Sequence, residues 1–466
     1  MAVTPYDDAD VGLLGTVWAG TRVEALTSDR AWLQAMLDAE VALVRAQSRL
    51  GSVPAGALPV IAGAAVADRF DLRDLALAAR AAANPVVGLV QRLTRAVADT
   101  DPAAADYVHR GSTSQDVLDT GTMLIAARCL DRIGADMRRI EAAAAALAER
   151  YRDAPMAGRT LAQHAVPVTF GLRAAGWCQA ARRAADELDR IRDGLPVQLG
   201  GAAGTLAGYL AYAPPEADPG RYAEQLTHVF AEETGLVAPV LPWHTDRTPV
   251  VGLAAALAIA TGTIGKIAAD VRVLSRTEIG ELSEPLAEGR GASSAMPQKR
   301  NPALSAMVIS AALQVGPLVG VLAQAMVAED ERPAGAWHAE WQPLRECLRL
   351  AGGAAETAAE IVEGLEVHAE RMRDNLGMTG LITTERVAAV LAPILGKATA
   401  KSVVGRASAA VAANGSSLGE ELPAQPELAG RITADELRDL LEPEGYLGAA
   451  VSMVDRTLAD RAKNAD

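Results

Sequence analysis

The residues best suited to chemistry lie in one short segment, Gly291 to Pro302, between two long apolar runs. The segment holds the adjacent hydroxyls of Ser293 and Ser294, followed by a lysine, an arginine and the pair Asn301-Pro302. Loops rarely concentrate polar groups between core segments unless a ligand uses them. Asn is a favoured N-cap and Pro a favoured first helical residue, so the pair predicts a helix start. The free N–H groups and positive end of such a helix suit a carboxylate.

Three further polar loops interrupt long helix-like segments, at residues 109–116, 158–164 and 199–205. The first two carry hydroxyl, guanidinium and imidazole groups, which are suitable donors for a carboxylate ligand. The third loop is rich in glycine but lacks the spacing of dinucleotide- or phosphate-binding loops. We therefore predict no nucleotide cofactor.

The elements that position these loops are predicted to be helices. The chain has 466 residues, half of them hydrophobic but only 3% aromatic, a composition that favours helices over β-sandwiches. Helical spacing of apolar residues runs over 29–50, 116–152, 170–194, 249–284, 302–332 and 343–373. Long helices joined by short polar loops predict an all-α bundle. The length exceeds that of one core, and we predict domains at 1–108, 109–355 and 356–466.

Composition excludes several classes of protein. The net charge is −14 with no basic stripe, which argues against a nucleic-acid partner. Cys129, Cys178 and Cys347 have neither metal-ligand nor disulfide spacing, so we predict no metal site and a reducing compartment. The first residues lack the features of a signal peptide, so we expect a cytoplasmic protein. The uncharged segments 248–265 and 303–328 approach the length of a membrane span, but we interpret both as helices buried on all sides and expect no membrane partner.

The polar loops together resemble those of the aspartase/fumarase superfamily. The Ser-Ser-x-Met-Pro-x-Lys-x-Asn-Pro signature of that superfamily is matched at 293–302, although Ala292 replaces the preceding glycine. Its Thr-Ser-x-Asp element is matched at 113–116 and its Gly-Arg-Thr element at 158–160. Three motifs in the same order are far more specific than one.

Within the superfamily, the chain is most similar to the 3-carboxy-cis,cis-muconate cycloisomerase branch, as segments 28–37, 242–245 and 336–342 indicate. The resemblance implies a three-domain, all-α fold in which four subunits contribute long helices to one central bundle. It further implies a homotetramer whose active sites take residues from three subunits. The implied activity needs no cofactor and acts on a small polycarboxylate.

The implied reaction removes a proton from the carbon next to a carboxylate and expels a group from the neighbouring carbon, or reverses these steps. Donors and cations must stabilise the dianionic intermediate. By the resemblance, Ser293 is the base, and its weakly acidic hydroxyl needs a strongly electropositive pocket. We expect Glu281 to pair with Lys299 or Arg300. The expected substrate-binding residues are Thr113, Ser114, Arg159, Thr160, Lys299, Asn301, Arg332 and Asn84.

The general acid is the open point of the resemblance. Many superfamily members carry a histidine directly after Gly-Arg-Thr, where this chain has Leu161. If the stretch opens a helix, His164 shares a face with that position and is the candidate catalytic acid. Alternatively, His164 is a hydrogen-bonded structural histidine. Without an acid, the favoured leaving group is one that is already a stable anion, such as a carboxylate or nitrite.

Three functions fit these observations. The first is a cycloisomerase-like enzyme, and the alternative is a nitrosuccinate lyase that yields fumarate and nitrite. A structural protein that reuses the fold is disfavoured by the retained Ser293, Lys299 and Asn301. Asn84 stands where adenylosuccinate lyases carry a histidine, which disfavours adenylosuccinate. Gln298 departs from the histidine often found in the cycloisomerase branch and leaves the substrate open between the first two functions.

Overall fold

Helices supply nearly all the regular structure of the chain, as predicted. The computed structural model describes residues 12–292, 295–296 and 298–463. Within them, short 3-10 turns lie at Ala67–Arg69, Pro426–Leu428 and Pro443–Tyr446. The α-helices are α1 (Arg22–Leu26), α2 (Asp29–Arg49), α3 (Ala57–Ala64), α4 (Leu72–Ala82), α5 (Pro85–Ala98), α6 (Pro102–Ala105), α7 (Ser114–Arg150), α8 (Phe170–Asp193), α9 (Ala207–Leu210), α10 (Pro219–Thr234), α11 (Thr248–Leu274), α12 (Ala303–Gln324), α13 (Ala336–Glu363), α14 (Ala369–Leu376), α15 (Thr384–Leu395), α16 (Lys397–Asn414), α17 (Leu418–Glu421), α18 (Ala434–Leu441) and α19 (Ala450–Lys463).

Two small antiparallel ribbons accompany the helices in the described residues. Strand β1 (Pro155–Thr160) pairs with β2 (Gln163–Thr169), and β3 (Leu282–Ser283) pairs with β4 (Glu366–Val367). The β1–β2 hairpin includes the loop 158–164, so the conditional expectation of a helix there is wrong. The reason is local, because β2 is rich in β-branched residues and the two-residue turn at Leu161-Ala162 has positive φ angles of 48° and 67°.

By internal packing, the chain divides into two compact units. Unit 1 comprises the described residues up to Arg138, together with Arg183–Lys266 and Met307–Ala358. Unit 2 comprises Arg139–Arg182, Ile267–Ala306 and the described residues from Ala359 on. The long helices α7, α8, α11, α12 and α13 each contribute residues to both units. The predicted division into three domains stays a prediction.

The core of unit 1 forms around α2, which begins where the Ser28 side chain accepts a hydrogen bond from the backbone of Ala31. The buried stripe of α2 includes Leu33 and Leu37, and it packs in one cluster with Leu89 of α5. Burying each such side chain stabilises the fold by about 1.5–3 kcal/mol. A second cluster joins residues 199–209 to α10 and so anchors the predicted glycine-rich loop.

The core of unit 2 lies between α15 and α16, where Val387, Leu391 and Val403 are fully buried. The base of the β1–β2 hairpin belongs to a smaller cluster, in which Ala157 packs with Leu376 and Ile382. The strand β1 is therefore held by apolar packing at its start, and the turn of the hairpin lies away from that packing.

The two apolar segments form α11 and α12. Over the most apolar window of each helix, 56% of α11 but only 22% of α12 is buried. Length and composition are weak evidence for a membrane span, because core helices of soluble proteins share both. We expected α12 to be buried on all sides. In the single chain it is not, because Leu313 and Val321 are 72% and 40% exposed.

Candidate functional site

Thr113 and Ser114 lie at the start of α7 in unit 1, above a buried carboxylate. Both side chains are half-buried. One turn into the helix, the fully buried Asp116 accepts hydrogen bonds from the backbone N–H groups of Gly200 and Gly201, each at 2.9 Å. It also accepts from the Tyr209 hydroxyl at 2.8 Å and from His244 Nε2 at 2.9 Å.

This arrangement explains the glycine-rich loop without a phosphate ligand. A Cβ at position 200 would lie 2.6 Å from the His244 ring, so the loop approaches too closely for any other residue. Burial first, and then the charge of Asp116, raise the pKa of Tyr209 well above its ordinary value, so the phenol stays a donor. Asp116 therefore fixes residues 200–209 against the start of α7.

Arg332 reaches the same loops from the segment before α13. Its Nε donates to Gln115 Oε1 at 2.9 Å, and its Nη2 donates to the carbonyl oxygen of Ala202 at 3.2 Å. The Gln115 amide in turn donates to the backbone of His244 at 2.8 Å. Arg332 therefore lies beside the start of α7, at Gln115, which follows Thr113 and Ser114 in the chain. A carboxylate-binding role for Arg332, Thr113 and Ser114 stays a prediction.

A second buried pair lies beside this cluster. His109 Nδ1 is 2.6 Å from the Glu40 carboxylate, which is 1% exposed. Burial opposes the imidazolium, but the charge and hydrogen bond of Glu40 outweigh it and raise the pKa of His109. The backbone of His109 has a φ of +56°, a strained conformation for a non-glycine residue. The strain indicates that the surrounding structure holds this ring in place.

Asn84, also in unit 1, lies at the start of α5. Its side-chain oxygen accepts hydrogen bonds from Val86 N and Val87 N at 3.1 and 3.3 Å. The observed function of the side chain is therefore to cap α5. Its role in substrate binding stays a prediction.

In unit 2, the Gly-Arg-Thr element lies at the end of β1. Arg159 donates to both oxygens of Glu281, at 3.0 and 2.6 Å, and Glu281 is fully buried. Asn375 of α14 donates to the same carboxylate at 2.7 Å. The expected pairing of Glu281 with Lys299 or Arg300 is therefore wrong, because the hairpin brings Arg159 to that carboxylate. Thr160 lies next to the turn and is exposed.

His164 is the cross-strand partner of Arg159 in the hairpin register. Burial first, and then the nearby Arg159 cation, lower the pKa of His164. The ring is therefore neutral at neutral pH, when it is a weak proton donor. Its Nδ1 is shielded from solvent and has no hydrogen-bond partner among the described residues.

The two ends of the signature segment meet at the contact of Gly291 with Asn301, which we call its neck. The backbone N–H and side-chain amide of Asn301 donate to the carbonyl oxygen of Gly291, at 2.9 and 3.2 Å. A Cβ at position 291 would lie 2.4 Å from the backbone of Asn301, and the φ of Gly291 is +64°, so only glycine fits there. Lys299 is exposed, and Ser293 lies outside the described residues.

The helix start after this segment is occupied by a carboxylate of the chain itself. Glu284 accepts hydrogen bonds from Leu304 N and Ser305 N of α12, at 3.1 and 2.7 Å. The predicted cap by Asn301 is wrong, because that side chain bonds to Gly291 instead. A cavity of about 410 Å³ adjoins the neck, and its lining includes Glu284, Arg300 and Asn301.

The sequence missed the residues that support the predicted ones. Glu40, Tyr209 and Asn375 hold their partners from positions far along the chain, and no local motif marks them. Glu281 was expected to form an ion pair, but with other partners. In the described part of the chain, no cluster of three or more His, Cys, Asp or Glu side chains is arranged to hold a metal ion.

Comparisons with known proteins identify lyases and cycloisomerases as relatives. Residues 22–316 match the model of a family described as lyase, and residues 380–457 match the adenylosuccinate lyase C-terminus. The chain is 57% identical to a nitrosuccinate lyase of Streptomyces davaonensis over 97% of this chain and 96% of the relative. It is 42% identical to a 3-carboxy-cis,cis-muconate cycloisomerase of Pseudomonas aeruginosa over 94% of both. The crystal structure of the 3-carboxy-cis,cis-muconate lactonizing enzyme from Pseudomonas putida superposes with a TM-score of 0.89 at 37% identity, covering 98% of this chain and all of that one.

Proposed function

The chain belongs to the lyase family and is an enzyme of the aspartase/fumarase superfamily, as its polar loops predict, and from this premise we propose that it eliminates nitrite from nitrosuccinate. A base takes a proton from the carbon next to one carboxylate. The carbon–nitrogen bond on the neighbouring carbon then breaks, and its electron pair leaves with nitrite. The remaining product is fumarate.

The apolar residue at the turn of the hairpin favours a leaving group that needs no proton, and the 57% identity to a nitrosuccinate lyase, against 42% to a cycloisomerase, then favours nitrite. Leu161 is fully exposed and offers no proton to a leaving group. His164 nearby has a lowered pKa and is neutral at neutral pH. Nitrite leaves as a stable anion and needs no proton donor, whereas ammonia, amines and water do.

The proposed roles of the predicted residues follow from their charges. Thr113, Ser114 and Arg332 bind one substrate carboxylate, and Lys299 supplies positive charge near the base. We assign the base to Ser293 by its place in the superfamily signature. Asn301 acts through the neck of the signature segment, since its amide already bonds to Gly291.

A cycloisomerase activity is the second candidate. It is supported by the 42% identity and the TM-score of 0.89 to enzymes of that name. Opening or closing a lactone also uses a carboxylate as leaving group or nucleophile, so it needs no proton donor at position 161. The same base and the same carboxylate-binding residues serve both reactions.

We further propose a homotetramer in the cytoplasm. The uncovered apolar surface of α12 supports assembly, because monomeric soluble proteins rarely leave such surfaces in water. The thiols of Cys129, Cys178 and Cys347 are all free and buried, which fits a reducing compartment.

The test is to incubate the purified protein with nitrosuccinate and, separately, with 3-carboxy-cis,cis-muconate. We expect nitrite and fumarate to appear in equal amounts from the first. If 3-carboxy-cis,cis-muconate loses its diene absorbance and nitrosuccinate releases no nitrite, the cycloisomerase activity replaces the proposal. Turnover of neither would refute both.

Two variants test the assigned chemistry. Ser293→Ala should reduce turnover about 100- to 10,000-fold with an unchanged circular dichroism spectrum, whereas Ser452→Ala, on the exposed face of α19, should not. Leu161→His should not raise turnover. A large rise would show that departure of the leaving group needs a proton.

Light scattering tests the assembly. We expect about four times the chain mass of 48.3 kDa. Leu313→Glu places a charge on the uncovered surface of α12 and should dissociate the tetramer. Leu77→Glu, at a 52% exposed position of α4, should leave it intact. A single-chain mass for the unaltered protein would contradict the proposal.

A further inference from the structure

Unit 1 contains a cavity of about 410 Å³ that the proposed reaction does not use. Residues of α2, α4 and α13 form most of its walls, which are largely apolar and include Leu33, Leu75 and Leu89. None of the residues assigned to substrate binding lines it. Its volume lies within the range of about 300–1,000 Å³ that is typical of sites for small molecules.

Two tryptophans in these walls carry unused hydrogen-bond donors. The indole N–H groups of Trp32 and Trp341 are shielded from solvent and have no acceptor among the described residues. A buried indole N–H normally finds an acceptor, because leaving the donor unpaired is costly. Since neither N–H has accessible surface, the indole rings and not their N–H groups face a ligand in the cavity, which adds to its apolar walls.

A mostly buried arginine completes the cavity. The side chain of Arg345 is 15% exposed, and its one carboxylate partner in the described structure, Asp29, is 70% exposed and lies 2.7 Å from Nη1. Nε donates to the carbonyl oxygen of Thr27 at 2.8 Å. Burial first, and the nearby Arg349 cation after it, lower the pKa of Arg345 against the opposing charges of Asp29 and Glu346. An additional anion at this guanidinium would be stabilised.

We propose that this cavity binds a small organic acid with an apolar body, such as a one- or two-ring aromatic monocarboxylate. The carboxylate pairs with Arg345, and the body lies against Leu33, Leu75 and the ring of Trp341. A four-carbon polycarboxylate has no apolar body to fill such walls, so the ligand differs in class from the proposed substrate. The site is independent of the proposed reaction, because none of its residues takes part in it.

Isothermal titration calorimetry with 2-naphthoate tests the proposal on the full-length protein. We expect saturable binding of 2-naphthoate, at least tenfold weaker binding of the uncharged 2-naphthamide, and no measurable binding of acetate. No saturation by 2-naphthoate would overturn the proposal. Equal binding of the amide would overturn the role of Arg345.

A matched pair of variants locates the site. Ala76 lines the cavity on the exposed side of α4, and Ala81 is exposed on the same helix outside it. Ala76→Trp should block binding, whereas Ala81→Trp should leave the affinity unchanged. Equal affinity in both variants would place the ligand elsewhere and overturn the assignment.

Two further variants separate the chemical contributions. Arg345→Gln should weaken binding about tenfold to a hundredfold, the range expected for loss of a charged hydrogen bond. Trp341→Phe keeps a flat apolar ring in the wall and removes an N–H that the ligand does not reach, so it should change the affinity less than Arg345→Gln does. Unchanged affinity in Arg345→Gln, in a protein with an unchanged circular dichroism spectrum, would contradict the proposal.

Discussion

The start of α7 and the β1–β2 hairpin both carry predicted substrate-binding residues, but the chain supports them differently. Beneath Thr113 and Ser114, the buried Asp116 accepts four hydrogen bonds and holds a second loop in place. The hairpin is held at its base by the apolar packing of Ala157 and nearer its turn by the ion pair of Arg159 with Glu281. Its turn is exposed and has two non-glycine residues with positive φ.

The difference is between a binding surface that buried hydrogen bonds hold rigid and an exposed turn that has no such support. The buried hydrogen-bond network of Asp116 holds the hydroxyls of Thr113 and Ser114 in one geometry. Recognition of a carboxylate needs such fixed donors. A two-residue hairpin turn needs positive φ angles, but Leu161 and Ala162 are residue types that rarely adopt them. Strained non-glycine residues of this kind cluster at functional sites.

The strongest test of this comparison removes the support beneath α7. Asp116→Ala leaves four buried donors without their acceptor, so we expect a loss of about 3–5 kcal/mol in the free energy of unfolding. Urea denaturation measures it. Asp131→Ala removes an exposed partner of Arg192 and should cost about 1 kcal/mol or less. Similar losses in the two variants would mean that Asp116 is not the support we describe.

The ion pair that holds the hairpin should respond less. Glu281→Ala leaves Arg159 and Asn375 without their acceptor, but Arg159 is 13% exposed and can regain some hydration. We expect a loss of about 2–3 kcal/mol by urea denaturation. The matched control is Glu363→Ala, which removes the half-exposed partner of Arg139. A loss no larger than that of the control would show that the hairpin is held by apolar packing alone.

The Glu40–His109 pair, near the start of α7, makes the stability of the fold depend on pH. Because the folded pKa of His109 is raised, its contribution to stability is fully present below the unfolded pKa of about 6.5 and is lost as pH rises through the folded value. Glu40→Gln should lower the pKa of His109, as measured by NMR titration of the ring protons. An unchanged titration curve would remove Glu40 as the cause.

The smallest effect is expected at the hairpin turn. Leu161→Asn places a residue that tolerates positive φ at a fully exposed position, where Leu contributes no buried area. We expect the variant to gain about 0.5–1 kcal/mol of stability in thermal unfolding, together with altered turnover. A clear loss of stability would show that the turn is not strained.

The sequence predicts the all-α fold and the location of the polar loops well. Long apolar periodicity gives helices such as α7 and α8 within a few residues of their observed ends, since few turn residues interrupt them. The hairpin was not predicted because its turn lacks the Asn-Gly or Gly residues that mark most such turns. The residue pair Leu161-Ala162 adopts that geometry without the usual sequence signal.

The candidate site is less accessible to sequence reasoning than the fold. Motifs identify Asp116 and Arg159, but their partners Tyr209, His244 and Glu281 lie far away in the chain and follow only from the fold. The helix start at α12 shows the same limit. Asn301 has the correct residue type for a cap, yet Glu284 takes that position because the fold brings it there.

The three buried thiols have a practical consequence for studying the hairpin. Burial raises the pKa of Cys129 and Cys347 to about 12 and that of Cys178 to about 11. Alkylating reagents attack thiolates, so these native side chains are inert near neutral pH. A cysteine introduced as Leu161→Cys would therefore be labelled selectively in an otherwise unaltered background. A spin label or fluorophore attached there would report what surrounds the turn when substrate is added.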